Sequence, residues 1–526
     1  MNTPGDWGDR AMVKAIYSGF GEIFWLYLAK HLAKNNGWEP VYWVGVPQAK
    51  DVVRRDFPEA IFHSVFDAIK GLPAGEYISR AIKPIDTRII TDYAASQLIL
   101  LRMMDRIDAL GSFGYNDRVR LLHKQMTYWQ TVLDDLKPDV VVFNVIPHLI
   151  FDYMLYEYCK PRGIKTIMFE SIPVRGMTIV MDDFMGPTHI NKLYAKLLEG
   201  NQFDSVPLSE GMEEFLYGLQ GSYFDAPEYV RRVYKEKPYE GLRSPSKSIF
   251  QKLIDVKRYR DYFEKQRRIW LSRFRPPPNY LKQRHKKLEN SKMNWLQYKK
   301  FRLGSHLKMR KLIRHYHRLA GEVDFDHPYI YVALSFQPER TTSPMGSFYV
   351  DQNLMVDLLS KTVPAGWHIY VKDHPFGFSP SKFHRAQSGR SKVFYDDLAS
   401  KPNVSLVPMP INSYDLIDGA QAVAAVTGTV GWEALFRGKP VLLFGYPWYR
   451  GCEGTFRIDT VESCVDAIDI IRTGYRIEHR KLRLFAHALE QTAISASVEP
   501  HLRIEAISDE EAAARLAEGI QELVTS

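Results

Sequence analysis

Cysteine is almost missing from this chain. Cys159, Cys452 and Cys464 are the only three in 526 residues, and no two of them form a CxxC pair. That excludes a disulfide framework and a thiolate zinc site. Long apolar runs are missing too. No stretch of about 18 apolar residues occurs, so no membrane-spanning helix is expected. The segment Met1 to Lys14 carries Asp6, Asp9 and two glycines and lacks an apolar core, so no signal peptide is read there. A cytoplasmic protein, soluble or peripherally bound, is the expectation. There is no internal repeat beyond two similar α/β stretches, and no low-complexity tract. Apolar residues at 45% and charged residues at 25% are ordinary globular usage. At roughly 150 residues per domain, the length predicts about three to four units.

Acidic residues are scarce in one place. From Arg231 to Ala320 there are 28 Lys and Arg against 6 Asp and Glu, a net of +22. The rest of the chain has 42 against 55, a net of −13, so the formal charge of +9 belongs to one segment. That segment interleaves its cations with aromatics such as Tyr259, Trp270, Tyr280 and Trp295. Basic-aromatic helices suit an anionic bilayer surface or a lipid-linked acceptor. A solvated helical face is the plain alternative, and nucleic acid is set behind both.

What is present elsewhere is alternation of buried strands and helices. Met12–Tyr17, Val41–Val44, Asp139–Asn144 and Thr166–Phe169 read as strands, with helices over Glu22–Asn35, Leu121–Leu136 and from about His148. The pattern resumes with strands Tyr329–Ser335, His368–Lys372, Val404–Val407, Ala422–Val426 and Val441–Phe444, and with helices Asp351–Ser360, Ser413–Gly419 and Val430–Arg437 between them. Such alternation implies parallel sheets. The expected organisation is an N-terminal Rossmann-like domain over 1–189, a basic and mainly helical insertion over 190–325, a second Rossmann-like domain over 326–475, and amphipathic helices over 476–526.

Ligands in open α/β sheets bind beyond the carboxyl ends of the strands. Gln337, Glu339 and Arg340 follow one strand end, and Lys372, His374 and Pro375 follow the next. A histidine fixed by a following proline can donate to a phosphate or carboxylate, but the dipeptide alone is a weak signal and more often marks a plain turn. Thr427, Gly428 and Thr429 sit between a strand and a helix, where free N–H groups and the helix dipole favour an anion. Glu433, one turn on, is placed to meet ribose hydroxyls or to lie on the surface. Tyr449, in the loop after Val441–Phe444, is a candidate stacking residue or a core residue. In the first half, Glu170 ends a strand and Arg175 follows it in FESIPVRG. A carboxylate there fits a general acid or base, or a hinge pair. Gly19 and Gly21 make half of a dinucleotide fingerprint, which is poor support for NAD, and TGTVGWE has no GK[ST] ending. No DxD motif stands at a strand end: Asp324-Phe325-Asp326 precedes a strand, and Asp182-Asp183 is only an acidic pair.

In this order, FESIPVRG, the QPE at 337–339, His374-Pro375, and TGTVGWEAL with GKPVLLFG resemble the bacterial capsule polysaccharide biosynthesis family. More narrowly, they are similar to its transferases that use CMP-activated 3-deoxy-manno-octulosonic acid (Kdo). The resemblance implies a GT-B-like fold, two Rossmann-like domains facing a cleft, with the nucleotide sugar on the C-terminal one. It implies that His374 and the Thr427–Thr429 loop contact the CMP phosphate and that Glu339 lies at the anomeric carbon. Glu339 is then nucleophile or ion-pair stabiliser, and Glu170 the acid/base. Gln337, Arg340, Lys372, Pro375, Glu433, Arg175 and Tyr449 fall to nucleotide or substrate binding. No metal and no cofactor is implied; the donor is the CMP-sugar, and the acceptor is a capsule, lipopolysaccharide or lipid-linked glycan. The basic stretch is not part of the family's core pattern and leaves the acceptor open. Two alternatives stand beside this reading: a transferase using a UDP-sugar or a CDP-glycerol-like donor, and a non-catalytic assembly protein binding membrane or nucleic acid.

Overall fold

The structure is a computed structural model that describes residues 12–108, 113–174, 176–200, 206–221, 295–379, 386–499 and 507–525. Arg175 and residues 231–294 of the basic stretch lie outside the described residues.

Runs of buried apolar residues make two sheets. The first contains β1 (Val13–Phe20), β2 (Trp38–Gly45), β3 (Ile61–Ser64), β4 (Val140–Phe143), β5 (Lys165–Ser171) and β6 (Thr178–Met181), in the order β3-β2-β1-β4-β5-β6. Its strands are parallel except β6, which pairs antiparallel with β5 and sets Glu170 opposite Ile179. The second contains β7 (Tyr329–Ala333), β8 (His368–Lys372), β9 (Val404–Leu406), β10 (Ala422–Ala425), β11 (Val441–Leu443) and β12 (Thr455–Arg457), in the order β12-β11-β10-β7-β8-β9, all parallel. Renumbered from its own first strand, each sheet reads 3-2-1-4-5-6, the doubly wound order. Strands such as VVVF and AVAA are buried at every position because helices cover both faces. This is the expected α/β architecture with two Rossmann-like sheets.

The order reverses between β1 and β4 in one sheet and between β7 and β10 in the other, which opens a crevice at each switch point. In the first, Gly19 takes φ +90°, and a Cβ there would meet Asn144 Oδ1 at 2.6 Å. The Asn144 amide donates to the Gly19 carbonyl at 2.8 Å and closes that crevice.

The two halves are tied at several places. Arg106 donates to the Ser343 carbonyl at 2.9 Å, Asn191 to the Arg450 carbonyl at 2.6 Å, and Arg450 to the Gly186 carbonyl. Beyond the second sheet the chain returns to the first. Ile494 exchanges two backbone hydrogen bonds of 2.9 Å with Thr178 of β6. Helix Asp509–Thr525 lays Ala513, Leu516, Ala517 and Ile520 into a core shared with Phe24, Trp25, Leu28 and Leu32 of helix Ile23–Asn36.

Helix Trp295–Leu319 is the described part of the basic stretch. Its apolar face places Met309, Leu312, Ile313 and Tyr316 in the core of the second sheet, and the Tyr316 hydroxyl donates to the Val407 carbonyl at 2.6 Å. Burying four such side chains contributes about 6–12 kcal/mol as an upper bound. The helix is therefore anchored on one side and presents its cations on the other.

Candidate active site

The cavity of interest lies at the switch point of the second sheet. Three strand ends build it. β7 runs into the loop Leu334–Met345, β8 into Asp373-His374-Pro375, and β10 into Thr427-Gly428 and the helix Thr429–Phe436. The cavity has a volume of about 260 Å3, and Glu339, Lys372, His374, Pro375, Thr427, Gly428, Thr429 and Glu433 line it. Its size is near the lower end of small-ligand sites, ~300 Å3.

Each lining group has a distinct state. The His374 ring accepts the Phe376 N–H on Nδ1 at 3.1 Å, and burial pushes its pKa down to about 4. The ring is then neutral with its proton on Nε2, a donor to an occupant of the cavity. Lys372 is buried and donates to the Ile411 carbonyl and, at 3.2 Å, to Ser413 Oγ. Desolvation lowers its pKa to about 7, with Asp415 pulling the other way. Glu433 is buried one turn into its helix; desolvation raises it to about 7, against a hydrogen bond from Thr429. No side chain caps that helix at Gly428. Its first residues line the cavity, the setting in which a bound anion takes the place of a cap.

Glu170 does not line this cavity. It sits on β5 of the first sheet, 5% exposed, with Oε2 lacking any hydrogen-bond partner. Burial raises its carboxyl to about 7, while Arg340 and Arg450 pull it down and Glu499 pushes it up. Arg340 is next in sequence to Glu339, so the first sheet's carboxyl faces the same loop that carries Glu339 into the cavity.

Several expected site residues are placed elsewhere. Gln337 is turned inward: its amide donates to the Val350 carbonyl and its Oε1 accepts from Arg390 at 2.9 Å. The loop bends after Phe336, so Phe336 and Glu339 face the cavity while Gln337 does not. Arg340 pairs with Glu499 at 3.4 Å and does not line the cavity. Tyr449 is fully buried rather than poised for stacking. Its hydroxyl donates to the Gly428 carbonyl at 2.5 Å and fills the space beside Gly431, where a Cβ would run into it. Thr427, by contrast, lines the cavity as expected, and its hydroxyl donates to the Thr341 carbonyl, which ties the loops after β7 and β10. Arg175 lies outside the described residues.

Sequence reasoning missed the hub behind the cavity. Arg390, 8% exposed, forks onto Asp373 with bonds of 2.9 and 3.1 Å and also donates to the Ser335 carbonyl at 2.9 Å. Tyr395 donates to the same carboxylate at 2.5 Å, and Asp373 in turn accepts the His374 N–H at 2.7 Å. One guanidinium thus locks the loops after β7 and β8 together. Asp373 was visible beside His374, but nothing in the spacing points to Arg390 as its partner.

Residues 340–456 match the capsule polysaccharide biosynthesis protein family. The resemblance read from the motifs is borne out there. Among curated relatives, the capsule polysaccharide modification protein LipA of Neisseria meningitidis serogroup B is 35% identical over 83 residues, 16% of this chain. The serogroup A protein is 34% identical over the same length, and in both cases the chain spans 10% of the relative. Among solved structures, the beta Kdo 2,7 transferase of Thermosulfurimonas dismutans KpsC covers 77% of this chain and 97% of its own at 14% identity, with a TM-score of 0.29. The UDP-GlcNAc 2-epimerase of Methanocaldococcus jannaschii covers 91% and 98% at 12% identity, with a TM-score of 0.26. Among the described residues, no helix is long and apolar enough to cross a membrane, and no three His, Cys, Asp or Glu side chains converge as a metal-binding set.

Proposed function

We propose that this protein is a glycosyltransferase that moves Kdo or a related acidic sugar from a CMP donor to a surface polysaccharide or a lipid-linked glycan. The observation that carries the reading is the cavity at the β7/β10 switch point, with Glu339, neutral His374 and an uncapped helix start on its walls and the buried Glu170 across the same loop. The helix start and His374 Nε2–H hold the donor phosphate. Glu433 takes the ribose hydroxyls. Glu339 attacks the anomeric carbon as the bond to phosphate breaks and CMP leaves. The acceptor oxygen then displaces Glu339 while its proton passes to Glu170. A carboxyl pushed up to about 7 is suited to taking and returning a proton near neutral pH.

Two assays test this. Thermal shift with CMP, CDP and UDP reports the donor class, since a ligand that binds only the folded protein raises its midpoint. Stabilisation by CMP is expected; stabilisation by UDP alone removes the Kdo reading. Transfer from CMP-Kdo by Glu339→Gln and Glu170→Gln reports the roles. Near-normal transfer by Glu339→Gln shows that it is not the nucleophile.

A further inference from the structure

A second cavity lies on the other side of Arg390. It has a volume of about 780 Å3 and runs between helix Trp295–Leu319 and the start of helix Lys392–Ala399. Lys308, Lys311, Arg314 and Arg318 form one wall, and Ser391 and Lys392 the other; all six are exposed, and no Asp or Glu is among the described lining residues. His315 also lines it and is engaged by Asp396 at 2.5 Å. Lys308 reaches the Gln387 carbonyl at 3.2 Å, and Lys392 lies 3.9 Å from Asp396.

The spacing is informative. Positions 308, 311, 314 and 318 recur at three- and four-residue steps, which stack them along one side of the helix about one turn, ~5 Å, apart. Among the described residues, no carboxylate pairs with any of the four, and Asp396 is the one carboxylate at the trough, against His315 and Lys392, so like charges stand side by side along the row. A single phosphate neutralises one or two of them. A row with a repeat matches a ligand with a repeat. The site is also a trough, which follows a chain and does not lie flush on a planar bilayer. The wall residue Arg390 holds Asp373 and Gln337, so the trough backs directly onto the loops of the catalytic cavity.

We infer that this trough binds an extended anionic glycan, a polymer with one carboxylate or phosphate per repeat. The binding does not depend on the transferase reading, because neither donor nor transfer enters the measurement. It is distinct from a membrane-docking role for the basic stretch.

The test uses the full chain and a fluorescein-labelled oligogalacturonate, which carries one carboxylate per sugar, followed by anisotropy at low ionic strength. A neutral maltooligosaccharide is the control. The expected result is binding of the acidic oligomer only, weakened by added salt as screening sets in near 0.1 M, where the Debye length is about 10 Å. The triple variant Lys311→Glu/Arg314→Glu/Arg318→Glu weakens it by about 10-fold or more, since attractive charges become repulsive. These side chains are exposed, and an unchanged melting midpoint shows that the variant folds. A matched reversal on the first half, Lys34→Glu/Arg88→Glu/Lys124→Glu, leaves binding unchanged and excludes an effect of net charge. Absence of binding by the parent protein overturns the proposal, as does equal binding by the triple variant. So does flotation with phosphatidylglycerol vesicles that is lost in the triple variant while no glycan binds: the surface is then a membrane dock.

Discussion

Replacing Glu170 by Gln is expected to make the protein more stable and less active, and the gain should depend on pH with a defined sign. Burial raises the folded-state pKa of this carboxyl from 4.5 to about 7, so the native state favours the protonated acid. That preference contributes stability in full below about pH 4.5 and is lost as pH rises through about 7. The loss amounts to ~3 kcal/mol above that pH, with the attraction of Arg340 and Arg450 already included. Gln keeps the shape and never ionises, so it does not lose this contribution. Glu170→Gln should therefore match the parent at about pH 4.5 and exceed it by up to ~3 kcal/mol at about pH 8. Denaturant titration at both values measures the difference. In the same variant, transfer should fall by about 10²- to 10⁴-fold, the usual reach of general acid–base catalysis. No stability gain at the higher pH refutes the burial argument, because the carboxylate is then fully compensated by its arginines. A gain with intact transfer refutes the catalytic role alone.

Other outcomes follow from the same geometry. Arg390→Met leaves the Asp373 carboxylate buried and unpaired and should destabilise by ~3–5 kcal/mol in chemical denaturation; Arg390→Lys should recover only part, since an ammonium cannot reproduce the fork. Lys372→Met removes a buried amine whose pKa is lowered to about 7. The parent gains stability as pH rises from there towards 10.5, so the variant's relative advantage should shrink by ~3 kcal/mol between about pH 7 and 9 in paired thermal scans. Gly431→Ala drives a methyl into the Tyr449 hydroxyl and should cost about 1–3 kcal/mol, and adding Tyr449→Phe should restore part of it.

The legibility of this fold in its sequence follows burial. Strands β4, β7 and β10 are buried nearly throughout, so they stand out as unbroken apolar runs, and DVVVFN was found within a residue of the observed Val140–Phe143. β3, β6 and β12 were not read. β3 and β12 are short edge strands with partly exposed residues, and β6 is a short run lying against a turn. In the site, the strand-end rule found Glu339, Lys372, His374 and Thr429, because parallel topology alone fixes where strand ends converge. It failed for Gln337 and Tyr449, since a strand end does not say which way the next side chain turns. It failed for Arg390 because that contact joins residues 17 positions apart through tertiary packing.

The docking of helix Asp509–Thr525 on helix Ile23–Asn36 has a consequence for synthesis. Residues 23–36 leave the ribosome long before their cover exists. Until 509–525 arrive, the core that Phe24, Trp25, Leu28 and Leu32 share with the first sheet lacks the contribution of Ala513, Leu516, Ala517 and Ile520, and part of its apolar surface is uncovered. Such a nascent half is a natural client for a holdase chaperone and a poor candidate for independent expression. Cutting the chain at the boundary between its two sheets would therefore not release two self-sufficient modules. The first would carry an open seam, ready to capture the corresponding helix of another copy.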